Sequence, residues 1–111
     1  MKLVEKAKYK NTYIVAVTYV YGDGDRYETK LCQCDTDKDV YDFYHVLNNL
    51  PDELSEEDMK EYLKDLSSKG IQIEEDSFWY DYDYCFYADY ESMIITYYDE
   101  NGYGHHMEIE E

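Results

Sequence analysis

Apolar and polar positions along the chain first follow a period of two, which is typical of β-strands. Residues 12–21 (TYIVAVTYVY) are β-branched and aromatic, and this composition predicts a strand. A Gly-Asp-Gly-Asp turn signal occupies residues 22–25. Residues 26–34 (RYETKLCQC) then alternate between charged and less polar side chains. We therefore expect an N-terminal β-hairpin with a half-exposed second strand.

The pattern changes to helical spacing after residue 35. Thr36 and Ser55 are each followed three residues later by Asp, which is typical of helix N-caps. Pro51 ends the first helix, and Gly70 stands where a glycine commonly follows a helix. These features predict two short antiparallel helices. Their apolar faces are Val40, Phe43, Leu47 and Leu50 in the first, and Met59, Tyr62, Leu63 and Leu66 in the second.

Residues 71–111 return to strand-like patterns. Ile71 and Ile73 begin a short predicted strand, and residues 78–88 alternate as a strand with its even face inward. Residues 92–98 predict the next strand, and an Asn-Gly turn leads to a last one at 103–109. Hairpin, helix pair and antiparallel β-meander together predict an α+β fold, with one curved sheet packed on the helices. The predicted inward residues of the aromatic strand are Phe78, Tyr80, Tyr82, Tyr84, Phe86 and Ala88.

The length of 111 residues fits one domain spanning 1–111. Residues 1–10 carry a net charge of +3 and form either a frayed basic arm or a short leading element. Leu, Ile, Val and Phe make up only about 20% of the chain, which borders on the composition of disordered proteins. Sixteen tyrosines and one tryptophan supply the missing apolar area, so we expect a folded, unusually aromatic core.

The net charge of −17 is unevenly distributed. Acids in the middle of the chain sit in predicted first helical turns or in i,i+4 pairs with lysine, where they stabilise helices. Residues 71–111 hold 12 acidic residues and no Lys or Arg. This excess argues against direct binding of nucleic acid and against an anionic membrane surface. Neither a secretory signal nor an apolar run of membrane length is visible, so we expect a cytoplasmic protein.

Motifs for catalysis or metal binding fail on inspection. Runs that begin at Asp35 and Asp99 resemble calcium loops, but each lacks required ligands. Cys32, Cys34 and Cys85 lack the spacing of structural zinc sites, and reduced buried thiols are the better interpretation. Pairs of carboxylates are frequent by chance among 27 acidic residues. We therefore predict no catalytic residue, no metal, no cofactor and no enzymatic activity.

An acidic and aromatic surface remains as the candidate functional feature. Asp81 and Asp83 share a face of the predicted strand and repel each other by about 0.6 kcal/mol in water. Such carboxylates do not stabilise a strand, whereas they would attract a basic partner. Tyr and Trp are favoured anchors at protein interfaces. The predicted partner-binding residues are Glu74, Glu75, Asp76, Trp79, Asp81, Asp83, Tyr87, Asp89, Tyr90, Glu91, Asp99 and Glu100.

Carboxylates on neighbouring strands, about 4.8 Å apart, approach the charge density of DNA. In size, acidity and Tyr/Asp/Glu content, above all in WYDYDYCFYADYE (79–91), the chain resembles phage-encoded anti-CRISPR and antirestriction inhibitors. The resemblance implies a DNA mimic that occupies the basic groove of a CRISPR effector or restriction enzyme in the bacterial host. An immunity protein that blocks a toxin nuclease is the alternative. An inert domain, or a homodimer joined at an edge strand, is a third interpretation.

Overall fold

The computed structural model describes residues 2–4, 9–22, 24–51, 53–81 and 85–109. These residues form seven β-strands, two α-helices and one turn of 3-10 helix at Glu75–Ser77, which confirms the α+β class. The strands are β1 Lys2–Val4, β2 Thr12–Tyr21, β3 Arg26–Cys34, β4 Trp79–Tyr80, β5 Phe86–Tyr87, β6 Asp89–Tyr98 and β7 Gly104–Met107. The helices are α1 Asp37–Asn48 and α2 Glu56–Ser68.

The main sheet has the antiparallel order β1-β3-β2-β6-β7. Strands β2 and β3 form the predicted hairpin, with Tyr13 opposite Cys34 and Tyr21 opposite Arg26. Strand β6 returns along the other side of β2, so the β-branched β2 lies at the centre of the sheet. Strand β1 pairs with β3, which makes Lys2–Val4 a leading strand and not a frayed arm.

Both helices begin at the predicted caps. Thr36 Oγ1 accepts the backbone N–H of Asp39 at 3.2 Å, and Ser55 Oγ accepts that of Asp58 at 3.1 Å. Gly70 has a φ of +80°, which glycine adopts without strain. There the N–H of Ile71 donates to Leu66 O at 2.9 Å and closes the end of α2. Local sequence signals were sufficient to predict these helix ends, because capping involves only residues close in sequence.

The core lies between the main sheet and the helices. Alternate residues of β2 point toward it, including Val15, Val17 and the fully enclosed Tyr19. Phe43 of α1 and Met59 of α2 close it from the other side, and neither is exposed. Burial of a side chain of this size stabilises the fold by about 1.5–3 kcal/mol. A tyrosine thus sits at the centre of the core, and its burial raises the pKa of Tyr19 well above the ordinary value.

The aromatic segment 78–88 is not one long strand. Strands β4 and β5 pair with each other as a separate two-stranded sheet, so the predicted continuous strand is wrong. The backbone of Phe86 exchanges hydrogen bonds of 3.0 and 2.7 Å with Leu54, which lies in the connection between the helices. The segment therefore pairs with the connection between the helices, whereas the prediction placed it in the main sheet.

Burial along this segment follows the prediction only in part. Phe78 and Ala88 are buried as expected, but Tyr80 is 52% exposed. Tyr82 and Tyr84 lie outside the described residues. Residues 71–73, predicted as a short strand, have no regular secondary structure, although both isoleucines are buried.

Candidate partner-binding site

A groove of about 590 Å³ opens between the β4–β5 hairpin, the start of β6 and the end of α1. We call it the Trp79 groove. Its apolar lining comes from Val20, Leu47, Leu50 and Ala88. Five predicted partner-binding residues also line it, namely Trp79, Tyr87, Asp89, Tyr90 and Glu91.

One wall of the groove is a stacked aromatic pair. Trp79 and Tyr87 lie directly opposite each other in the β4–β5 register. Their ring centroids are 4.8 Å apart and their planes are inclined by 19°. Such cross-strand pairs stabilise a two-stranded sheet by up to about 1 kcal/mol. The stack covers the inner face of each ring, so an outer ring face is what the pair can offer to a ligand.

The acidic wall depends on an irregularity in β6. Tyr19 of β2 pairs with Tyr90, but the preceding Thr18 pairs with Ser92, so Glu91 is an extra residue on β6. A bulge of this kind re-aims side chains, and bulges are frequent beside functional sites. It explains why Asp89, Tyr90 and Glu91 all line the groove, although consecutive residues of a regular strand point to opposite faces.

Tyr90 fixes this wall to the end of α1. Its hydroxyl donates to Asn48 Oδ1 at 2.7 Å, and the Asn48 amide donates to the carbonyl oxygen of Tyr44 at 2.9 Å. Asp89 Oδ1 accepts the backbone N–H of Tyr90 at 2.8 Å. Glu91 is exposed and forms no ion pair within the described part of the chain. The groove wall is therefore held in place while Glu91 keeps its charge available.

A second group of predicted residues is held by a lysine distant in sequence. Lys30 of β3 donates to Glu74 at 2.9 Å and also to Asp76, and its side chain is only 9% exposed. The hydrogen bond from Lys30 lowers the pKa of Asp76. Burial opposes the charge on Lys30, but its two carboxylate partners outweigh burial and raise its pKa. Glu75, between these two acids, is exposed on the 3-10 turn.

The third group lies at the opposite end of β6. Asp99 Oδ1 accepts the backbone N–H groups of Asn101 and Tyr103 at 2.9 and 3.0 Å. Its other oxygen lies 2.9 Å from His105 Nε2, and the hydrogen bond with His105 lowers the pKa of Asp99. The ten residues of β6 span roughly 30 Å. Asp99 and the exposed Glu100 therefore belong to the β6–β7 turn and not to the Trp79 groove.

The predicted pair Asp81 and Asp83 is only half described. Asp81 is half-buried, and its backbone N–H donates to Cys85 O at 3.0 Å between β4 and β5. Asp83 lies outside the described residues. Asp81 does not line the Trp79 groove. Of the predicted set, the five residues named above line the Trp79 groove, and Asp76 lines an adjoining hollow together with Trp79.

The cysteines are free thiols with different environments. Cys32 and Cys34 are buried on β3, and burial raises their pKa to about 12 and about 11 respectively. Cys85 is half-buried. Among the described residues, no three His, Cys, Asp or Glu side chains are grouped so that they could share a metal ion. None of the described helices has both the length and the apolar composition needed to cross a membrane.

Sequence reasoning missed the part of the groove that comes from distant elements. Asn48 and Leu47 lie at the end of α1, Leu50 follows it, and Val20 lies near the end of β2. The local patterns placed Leu47 and Leu50 on a helix face and Val20 in a strand, but only the tertiary fold brings them beside β4 and β5. In comparisons with protein-family models, curated proteins and solved structures, nothing matched this chain.

Proposed function

We propose that this protein is a stoichiometric inhibitor of a bacterial defence nuclease, of the anti-CRISPR or antirestriction type. In this proposal the Trp79 groove and its acidic rim occupy a basic nucleic-acid-binding surface as a DNA mimic. The observation that carries the proposal is that Asp89 and Glu91 share a groove with the aromatic pair Trp79 and Tyr87, and that the described residues of its lining include no Lys, Arg or His. Phosphate and base of a nucleic acid offer the same two chemistries, a negative charge and a flat ring.

The net charge supports fast recognition of a basic partner. With −17 on 111 residues, the protein is steered toward a positive groove, and the association rate falls as salt screens the field. Aromatic residues such as Trp79 supply the contact area that long-range charge does not. The proposed inhibitor would act in the cytoplasm of the bacterial host, without a cofactor and without contacting nucleic acid itself.

A neighbouring hollow is a weaker candidate for the contact. It has a volume of about 430 Å³ and shares Trp79 and Gly22 with the groove. Its lining includes Arg26, the single arginine of the chain, beside Glu28 and Asp76. A cation within the lining repels a basic partner, so the Trp79 groove is the better site for one.

The experiment begins with a tagged protein and bacterial lysate, washed at about 0.3 M salt, where the Debye length is well under 10 Å. A retained nuclease is then purified, and its DNA cleavage is measured against increasing inhibitor. We expect inhibition that is complete near one inhibitor per nuclease and that excess DNA relieves. The D89N/E91Q variant should need about 30-fold more protein, by the cost of removing central interface charges.

The matched control is E57Q/E61Q, which removes the same charge from exposed positions on α2. Its potency should stay within about threefold of the wild type, as expected for charges outside an interface. Equal loss in both variants would reduce the proposal to a non-specific charge effect. Capture and inhibition of a toxin nuclease, with CRISPR effectors and restriction enzymes unaffected, would overturn the defence-inhibitor assignment in favour of an immunity protein.

A further inference from the structure

The Trp79 groove combines three features that suit one kind of side chain. Its lining includes four apolar residues, of which Leu47 and Ala88 are almost fully buried and Val20 and Leu50 are half-buried. One wall is the stacked pair of Trp79 and Tyr87, and the other carries carboxylates. A volume of about 590 Å³ lies within the range of ordinary ligand sites and exceeds what one side chain needs. A ligand for this groove should therefore be long, partly aliphatic, flat at its tip and positively charged.

The aromatic wall favours a planar cation. Guanidinium is flat and weakly hydrated, so it stacks on Trp or Tyr faces more readily than the compact, strongly hydrated ammonium of lysine does. Because Trp79 and Tyr87 stack on each other, inclined by 19°, their inner faces are covered, and the outer face of the half-buried Trp79 is the surface on which a planar cation would stack. The aliphatic stem of an arginine side chain would cover the apolar lining while its charged tip stays at the rim.

The acidic wall favours the same group. Asp89 and Glu91 are two residues apart on β6, next to the bulge, and both line the groove. Two carboxylates that line the same groove repel each other, and a single cation between them removes that repulsion. The five N–H donors of a guanidinium can bond two carboxylates at once, which the rim of this groove offers.

We propose that the Trp79 groove receives an arginine side chain of the basic partner, stacked on the outer face of Trp79 and bonded to Asp89 and Glu91. This inference rests on the proposed function, because a basic protein surface is the source of the arginine. It adds a preference for arginine over lysine, which a general negative charge does not provide. A merely acidic surface accepts lysine and arginine equally, whereas this groove should distinguish them.

The test uses NMR of the isotope-labelled full chain, because its single tryptophan gives one indole N–H signal from the groove itself. The probes are N-acetyl-arginine amide, N-acetyl-lysine amide and N-acetyl-citrulline amide at constant ionic strength. We expect saturable shifts of the Trp79 indole and of the backbone amides of residues 87–91 with the arginine probe. Binding of the lysine probe should be at least about threefold weaker, and the uncharged citrulline probe should not bind.

Two variants connect the binding to the proposed residues. E91Q should weaken binding of the arginine probe several-fold. E61Q on α2 should leave that binding unchanged, since Glu61 is also exposed but does not line the groove. Equal binding of arginine and lysine probes, or shifts that never saturate, would overturn the inference. Neither result would affect nuclease inhibition, so the proposed function would stand or fall separately.

Discussion

Acidic side chains on the helices and in the Trp79 groove differ in what surrounds them. On the helices, Asp42, Glu56 and Asp65 each pair with a lysine one turn away, at 2.6, 3.3 and 3.1 Å. In the groove, Asp89 and Glu91 face an aromatic wall with no cation in the described lining. The helical acids stabilise their own elements by a few tenths of a kcal/mol per pair. Among the described residues the groove acids form no ion pair, although Asp89 accepts the backbone N–H of Tyr90, and this difference marks them as candidates for contact with another molecule.

The net charge of a segment does not distinguish acidic residues that have a partner in the chain from those that do not. Residues 71–111 lack Lys and Arg, yet Glu74 and Asp76 pair with Lys30, and Asp99 pairs with His105. Their acidity therefore has a structural use within the chain. Local net charge therefore overestimates the extent of a binding surface. Groove-lining acids that form no ion pair within the chain define that surface better.

The largest expected effect comes from the aromatic wall. W79A should weaken nuclease inhibition about 30-fold, because truncation of a central tryptophan at an interface costs about 2 kcal/mol or more. The measurement is the inhibitor concentration that halves DNA cleavage. Y80A is the matched control, since Tyr80 is the neighbouring β4 residue but lines only the adjoining hollow. A loss for Y80A as large as that for W79A would place the contact outside the groove.

A second prediction separates stability from binding. S55A and T36A should each lower the free energy of unfolding by about 1 kcal/mol, because each removes an observed N-cap hydrogen bond. D89N/E91Q should leave that free energy within about 0.5 kcal/mol of the wild type, as expected for exposed positions. Urea unfolding followed by circular dichroism measures all three. If the groove variant were the least stable of them, its acids would be structural like those of the helices.

A third prediction concerns the intermediate case of Lys30 and Asp76. The folded-state pKa of Asp76 is lowered from 3.8, so its pairing stabilises the protein above that pH and is lost as the pH falls through the lowered value. K30M should cost under about 1 kcal/mol at pH 7, because both carboxylates are largely exposed. Unfolding at pH 7 and pH 3 should show the difference from wild type shrinking at low pH. An unchanged difference would mean that Lys30 acts through packing alone.

The smallest effect is expected at the far end of β6. D99N keeps the oxygen that accepts the N–H groups of the β6–β7 turn and loses only the charge opposite His105. Nuclease inhibition should change by less than about threefold, as for charges remote from an interface. A decrease as large as that for D89N/E91Q would extend the contact along the whole of β6 and would contradict the comparison between the groove and the rest of the molecule.

The elements that depend on neighbours in sequence could be predicted, and those that depend on distant pairing could not. Thr36, Ser55 and Gly70 mark helix ends through contacts within five residues, and the β2–β3 hairpin follows from its turn. The alternation of residues 78–88 is genuine, but alternation does not reveal which strand a segment pairs with. Here Leu54 forms that pairing from the connection between the helices.

The candidate site shows the same division. Tyr87, Asp89, Tyr90 and Glu91 were predicted together and lie together, because they are close in sequence on β5 and β6. The bulge at Glu91 is set by the β2–β6 register and leaves no sequence signature. Neither the Tyr90–Asn48 hydrogen bond nor the pairing of Lys30 with Asp76 is visible without the fold, since each joins residues more than 40 positions apart.

Hydrogen–deuterium exchange of the protein, alone and in a one-to-one complex with the nuclease it inhibits, tests the central claim most directly. The account predicts slower exchange in the complex for the backbone of β4, β5 and the start of β6, which carry the Trp79 groove. Exchange along α2, which does not line the groove, should be unchanged. Protection of α2 with unaltered exchange at β5 and β6 would contradict the account.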